Sequence, residues 1–117
     1  MISLALVALA VDVPFTNIEI AVKQGSGFSP CEPSVAISRT NPDVIVAGAV
    51  LDNVMVSQDG GKTWQQSRLK SEFGVYGDPT VISNAAGEFY YFHLANPGPQ
   101  DRWLERLVCQ KSMDSGK

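Results

Sequence analysis

The chain has few residues of the kinds that carry metal or redox chemistry. Its 117 residues include one histidine and two cysteines, Cys31 and Cys109, which do not form a metal-ligand spacing. One cysteine pair is not a disulfide framework, and each cysteine is expected to be a small buried hydrophobic residue. The sequence therefore predicts no metal site and no cofactor.

Positive charge is also scarce. Nine Lys and Arg residues face twelve Asp and Glu residues, which gives a formal net charge of −3. The cations are scattered, so the sequence has no basic stripe for phosphate groups, and nucleic acid is not an expected partner.

Long apolar runs are absent, and no segment is long enough to span a membrane. The first ten residues form a short apolar run that ends in Ala8-Leu9-Ala10. This ending resembles a signal-peptide cleavage site, although no basic residues precede it. The run predicts either a truncated secretion signal, with a secreted or periplasmic location, or a buried β-strand.

What the sequence does contain is short alternating segments separated by turn residues. Four strands are predicted in a row as an antiparallel meander: Ser34 to Ser38, Val44 to Ala49, Asn53 to Ser57 and Thr63 to Ser67. The pattern then begins again, because "EPSVAIS" at 32–38 is echoed by "DPTVIS" at 78–83. Further strands are predicted at 88–94 and 106–112, with a long loop at 95–106 between them.

A repeat of four short strands at this length is typical of a β-propeller blade. The sequence thus predicts an all-β chain with an N-terminal segment at 1–30, one blade at 31–70 and a second blade at 71–117. In the N-terminal segment, "NIEIAV" at 17–22 alternates like a lone strand, and "QGSGFSP" reads as a linker.

One turn motif occurs twice. "SQDGGKTW" at 57–64 has an Asp that can accept backbone hydrogen bonds and glycines that tolerate positive φ. Its hydroxyl residues can bridge the strand ends, and Trp64 is expected to cover the gap between neighbouring blades. "SMDSGK" at 112–117 repeats the first half.

These residues carry a family resemblance. The pattern Ser57-x-Asp59-x-Gly61-x-Thr63-Trp64, repeated in part as Ser112-x-Asp114-x-Gly116, resembles the Asp-box of the bacterial neuraminidase repeat. Stretches such as "CEPSVAIS", "GVYGDPTVIS" and "GEFYYFHL" are similar to secreted bacterial exo-α-sialidase-like glycosyl hydrolases. The resemblance implies a six-bladed propeller of which this chain is the N-terminal part, about two blades. It also implies an activity on terminal sugars such as sialic acid.

Blade geometry predicts which residues share a face. The Asp-box lies at one end of a blade, and the start of the first strand and the second-to-third loop lie at the other. Glu32 and Asp78, at equivalent positions, are an available carboxyl pair for glycoside hydrolysis. The simpler interpretation, which the sequence favours, is that each caps a turn ahead of a proline. The residues predicted to contact a glycan at the same end are Asp52, Tyr76, His93, Arg102, Trp103 and Arg106, with Asn53 and Asp101 beside them. The alternatives are a hydrogen-bonded packing role for His93, solvated surface positions for the two arginines, and an anchor of the long loop for Trp103.

Three functions are consistent with this pattern. The first is part of a sialidase-like glycosidase. Sialidases resemble one another in three arginines that bind the substrate carboxylate, and the first of these lies in a Phe-Arg-Ile-Pro type motif. That motif does not occur here. The second is a non-catalytic Asp-box propeller that binds glycan or protein. The third is an inactive fragment. The uncovered blade edges also predict self-association.

Overall fold

The computed structural model of the chain describes residues 15–24, 27–96, 98 and 104–116. Within these residues the fold is all-β, with no helix and with seven strands in two antiparallel sheets. The strands are β1 (Ser34–Ile37), β2 (Ile45–Ala49), β3 (Asn53–Ser57), β4 (Gln65–Arg68), β5 (Gly77–Ser83), β6 (Phe89–Leu94) and β7 (Leu107–Ser112). No helix that could cross a bilayer is found in this part of the chain.

The first sheet has the order β1-β2-β3-β4, which confirms the predicted meander. Three of its strands lie within a residue of their predicted bounds. The fourth begins at Gln65 and not at Thr63, because the Thr63 amide and hydroxyl are bound to the Asp59 carboxylate and stay in the turn.

The second sheet has the order β5-β6-β7, and its strands also match the predicted segments. A register shift lies near the start of β5: Gly77 pairs with Leu94 and Thr80 pairs with Phe92. Two residues, Asp78 and Pro79, thus face the single residue His93, which is the arrangement of a β-bulge.

The main core lies between the two sheets. Val44, Val46 and Val54 of the first sheet are buried with three residues of the second sheet, Val81, Phe89 and Tyr91. β1 lies beside β5, and the Val81 N–H donates to Ser34 Oγ at 2.9 Å. This bond matters because β5 is an edge strand, so one of its backbone groups finds a partner in the neighbouring sheet.

A smaller cluster covers the opposite face of the first sheet. Ala47, Ala49 and Met55 are buried there under Ile20, Ala21 and Trp64. Trp64, which is expected to cover the gap between neighbouring blades, packs on the face of the first sheet that is turned away from the second sheet. Register explains this, since Ala47 and Met55 point opposite to Val46 and Val54 on the same strands.

The lone strand predicted at 17–22 is not formed. The Val22 N–H and C=O are instead bound by the side-chain amide of Gln66, each at 3.0 Å. Ile18 and Val22 remain about half exposed, so their alternation does not bury one face. The apolar run at 1–10 lies outside the described residues.

Both cysteines are exposed, so the prediction that they are buried is wrong. Cys31 precedes β1 at the sheet end. Cys109 is on the face of β7 that points away from the first sheet, because its partner Phe92 alternates with the buried Tyr91.

Candidate functional site

The first repeated turn is closed by hydrogen bonds of four side chains. Ser57 Oγ donates to Asp59 Oδ1 at 2.9 Å and accepts the Gly61 N–H at 2.8 Å. The Thr63 hydroxyl donates to Asp59 Oδ2 at 2.6 Å and its N–H donates to Oδ1 at 2.9 Å. Trp64 Nε1 donates to the Gly61 carbonyl at 2.9 Å. The turn is thus a self-contained structural unit, as the sequence predicts.

The second turn repeats the first in detail. Ser112 Oγ donates to Asp114 Oδ1 at 2.7 Å and accepts the Gly116 N–H at 2.9 Å. The Asp114 N–H lies 3.4 Å from Ser112 Oγ, the same distance as in the first turn. This turn also rests on the first sheet, because a Cβ on Gly116 would lie 2.5 Å from Val46 Cγ2.

Hydrogen bonds lower the pKa of Asp59 to about 2. The Thr63 hydroxyl contributes most, followed by the Thr63 N–H, and partial desolvation opposes them. A carboxylate held by several donors is favoured over the neutral acid. Asp59 therefore closes the turn in its charged form.

The end of the sheets opposite the Asp59 turn carries the predicted carboxyl pair. The Asp59 turn lies beside the β1–β2 turn, since the Gly60 N–H donates to the Asp43 carbonyl at 2.9 Å. Glu32 and Asp78 lie where β1 and β5 begin. We name this end, with Glu32, Asp52, Tyr76 and Asp78, the acidic edge.

Glu32 and Asp78 share an uncommon backbone conformation. Their φ angles are 52° and 50°, in the left-handed region that non-glycine residues seldom occupy, and both side chains are exposed. Each is followed by a proline. Such conformations cost free energy and are found preferentially at functional sites.

The surrounding pairing is also equivalent. The Val50 N–H donates to the Cys31 carbonyl at 3.0 Å, and the next pair inward is Ser34 with Gly48, so Glu32 and Pro33 face one residue as Asp78 and Pro79 do. A Cβ on Gly77 would lie 2.9 Å from Val50 Cγ1. Val50 therefore lies between the two strand starts, and the structure brings the two acids to the same edge.

Asp52 lies at this edge in the β2–β3 turn and forms an ion pair with Arg68 of β4. Arg68 also donates to the Gln24 carbonyl at 2.9 Å. Sequence reasoning missed Arg68; its position in β4 directly opposite Asn53 was the signal that could have found it. Burial, with the charge of Asp52 as a smaller cause, raises the pKa of Tyr91 to about 12, so this phenol stays protonated.

Tyr76 also reaches the acidic edge, where its N–H donates to the Leu94 carbonyl at 2.8 Å and its side chain is half-buried. Asn53 is buried, and its amide donates to the Val50 carbonyl at 2.7 Å. Asn53 therefore holds the β2–β3 turn in place and does not face a ligand.

His93 is fully buried, in contrast to its predicted role as a ligand contact. Its Nδ1 lies 3.0 Å from the Leu94 carbonyl and its Nε2 lies 3.2 Å from Gln110 Nε2. A carbonyl only accepts and an amide nitrogen only donates, so these two contacts fit the tautomer in which Nδ1 donates and Nε2 accepts. The imidazole has no free surface for a sugar, and it ties β6 to β7.

Arg106 lies next to the first residue of β7 and is about half exposed. Its guanidinium pairs with Glu105 at 2.7 Å and stacks 5.1 Å from the centre of the Phe73 ring. Its position at the start of β7 agrees with the predicted face, but its guanidinium is already paired with a carboxylate. Asp101, Arg102 and Trp103 lie outside the described residues.

A separate cavity of about 310 Å³ opens between the two sheets. None of the predicted catalytic or glycan-contact residues that the structure describes lines it. Its walls come from both sheets: Val46, Val54, Ser67, Arg68, Leu69 and Lys70 from one side, and Val81, Phe89, Tyr91, Gln110, Lys111, Ser112 and Gly116 from the other.

Among the described residues, no group of three or more His, Cys, Asp or Glu side chains could hold a metal ion. Comparison of the chain with protein-family models, with curated proteins and with solved structures finds no significant match.

Proposed function

We propose that the two sheets are adjoining blades of an Asp-box β-propeller of the sialidase-like glycosidase kind, and that the acidic edge contributes the carboxyl pair to a glycan site. The supporting observation is that Glu32 and Asp78 share the same left-handed conformation at equivalent strand starts. Two acids held in the same strained geometry, with Val50 between their strands, are more than two unrelated turn caps.

The proposed chemistry is proton transfer at a glycosidic bond. One carboxyl group donates a proton to the leaving oxygen, and the other, as carboxylate, takes a proton from the water that attacks the sugar carbon. The new bond from the sugar carbon to the water oxygen forms as the glycosidic bond breaks. Tyr76 and Asp52 lie at the same edge and supply further contacts to sugar hydroxyls. The arginines described at this edge, Arg68 and Arg106, are paired with Asp52 and Glu105 and do not supply the arginine clamp that the sialidase resemblance implies. We assign the carboxyl pair the acid–base role.

A second candidate is a propeller that binds glycan without cleaving it. It is favoured by the state of the arginines, because Arg68 is paired with Asp52 and Arg106 with Glu105. A carboxylate clamp needs guanidinium groups that are free to form two parallel bonds to the substrate.

The test is hydrolysis of 4-methylumbelliferyl α-sialoside and of neutral 4-methylumbelliferyl glycosides by the purified chain. Asp78→Asn and Glu32→Gln remove one acid each while keeping side-chain size, and Asn tolerates the left-handed conformation well. Loss of a general acid or base is expected to lower kcat by about a hundredfold or more.

The matched control is Asp43→Asn, which alters a carboxylate at the opposite end of the sheets. Equal activity in all four proteins would contradict the proposed pair. Absence of hydrolysis, together with glycan binding that Asp78→Asn weakens and Asp43→Asn does not, would favour the second candidate.

A further inference from the structure

The second sheet has one strand fewer than the first in the described part of the chain. In the first sheet, β3 is flanked by β2 and β4; in the second, β7 is hydrogen-bonded to β6 alone. Among the residues that the structure describes, no strand pairs with the other edge of β7, and its backbone groups there are open. Such an edge is a template for one more strand.

The two sheets are equivalent residue by residue, as their registers show. In the first sheet, Val35 pairs with Ala47, and Ala47 pairs with Met55. In the second sheet, Val81 pairs with Tyr91, and Tyr91 pairs with Gln110, at the same distance from the repeated turn. Ile45 pairs with Ser57 just as Phe89 pairs with Ser112. The positions Ile45, Ala47 and Met55 thus correspond to Phe89, Tyr91 and Gln110.

This correspondence shows which side chain would fit the cavity between the sheets. Trp64, which enters β4, packs on the cluster of Ala47 and Met55, and Ile45 lies beside the same turn. The three corresponding residues of the second sheet, Phe89, Tyr91 and Gln110, all line the 310 Å³ cavity. The cavity therefore corresponds, on the second sheet, to the position that the Trp64 side chain occupies on the first sheet.

We propose that this cavity and the open edge of β7 together bind an extended peptide strand that carries a tryptophan, in the manner of β4. The strand adds to β7 through main-chain hydrogen bonds, and the indole enters the cavity, which is the β-augmentation mode of peptide recognition. The occupant is identified by the chain itself, since β4 shows which chemistry fills the equivalent position. The inference does not depend on the proposed glycoside chemistry.

The register of the bound strand follows from β4. Gln66 lies opposite Met55 and Gln65 lies opposite Val56, so the corresponding peptide residues lie opposite Gln110 and Lys111. The cavity floor is apolar, formed by Val46, Val54 and Phe89. An indole buried there contributes a large apolar area, and the peptide without it loses most of its anchor.

The experiment is a fluorescence anisotropy titration of a fluorescein-labelled peptide with the sequence of residues 62–69, Lys-Thr-Trp-Gln-Gln-Ser-Arg-Leu, into the intact chain. We expect saturable binding. The same peptide with Trp64→Ala is expected to bind at least about tenfold more weakly.

Chain variants test the location. Ser67 is exposed and lines the cavity from the first sheet, so Ser67→Trp fills the cavity from the opposite wall without disturbing the core. Ser67→Trp is expected to weaken peptide binding about tenfold, and the matched Ser67→Ala to leave it within about twofold. Amide hydrogen exchange supplies a second readout, because the added strand should slow exchange along 107–112.

The proposal is overturned by an absence of saturable binding up to about 1 mM peptide, by equal affinity of the tryptophan and alanine peptides, or by protection that falls on β1 instead of β7. The proposal would also be overturned if amide exchange of β7 slowed as the concentration of the chain alone was raised and the peptide did not reverse this effect. That result would show that a second copy of the chain occupies the edge.

Discussion

At the scale of single residues, the turn at 57–64 shows how one carboxylate holds two chain segments. Asp59 accepts from Ser57 before the glycines and from Thr63 after them, so the hairpin is closed from both sides. The same carboxylate explains why β4 begins two residues late. The hydrogen bonds that define the motif therefore also set the length of the strand.

A first prediction concerns the acid stability of this turn. The pKa of Asp59 is lowered in the folded chain from 3.8 to about 2, so its contribution to stability is complete above pH 4 and is lost as the pH falls toward 2. Asp59→Asn is expected to lower the urea midpoint at pH 7 and to flatten the decline of that midpoint between pH 4 and 2. Glu72→Gln, an exposed carboxylate outside the turn, is the control; an unchanged pH profile in Asp59→Asn would contradict the assignment.

At the scale of elements, the contact between the sheets depends on a missing side chain. Gly48 of β2 lies against the ring of Tyr91, and a Cβ at that position would be 2.6 Å from the ring atoms. The Tyr91 hydroxyl then reaches the Asn53 carbonyl at 3.3 Å. A glycine in a strand is thus needed here for close approach, not for its backbone freedom.

A second prediction follows from this contact. Gly48→Ala is expected to lower the free energy of unfolding by about 1–3 kcal/mol, because the interface is overpacked. In the background of Tyr91→Leu, which removes the ring, the same change should cost less than about 0.5 kcal/mol. Urea denaturation of the four proteins gives the coupling, and equal costs in both backgrounds would show that the ring is not the obstacle.

At the scale of the whole molecule, both sheets have an outer face that the described residues leave partly open. Val35 and Ile37 are 62% and 55% exposed on the first sheet, and Ile82 and Leu107 are 48% and 67% exposed on the far side of the second. By register, Val35 corresponds to Val81, which is buried between the sheets. The outer face of the first sheet therefore corresponds to the face of the second sheet that packs against the first sheet.

A third prediction is that two copies associate head to tail through these faces. Sedimentation velocity should show a mass that rises with concentration above the 12.6 kDa of one chain. Val35→Lys should return it toward that value, since a buried unpaired charge at the contact is unfavourable. Ala85→Lys, an exposed residue in the β5–β6 turn, is the matched control. A single-chain mass at all concentrations would contradict the prediction.

The sequence predicted the strands and turns well, because these depend on neighbours only a few residues apart. The alternation of Val44 to Ala49, the turn residues at 57–64 and the repeated acid-proline start are all local signals. The segment at 17–22 failed for the same reason: its alternation suggested a strand, but no strand was available beside it, and Gln66 took its backbone groups.

By itself, then, the sequence determined an all-β chain of repeated hairpins and the equivalent acid-proline positions of Glu32 and Asp78, since turn chemistry and strand period are encoded locally. Only the tertiary structure decided which faces are covered. It buried His93, exposed both cysteines, joined Asp52 to Arg68 and placed Trp64 on the outer face. These outcomes depend on how one sheet packs against another, and that information lies in contacts between residues far apart in the chain.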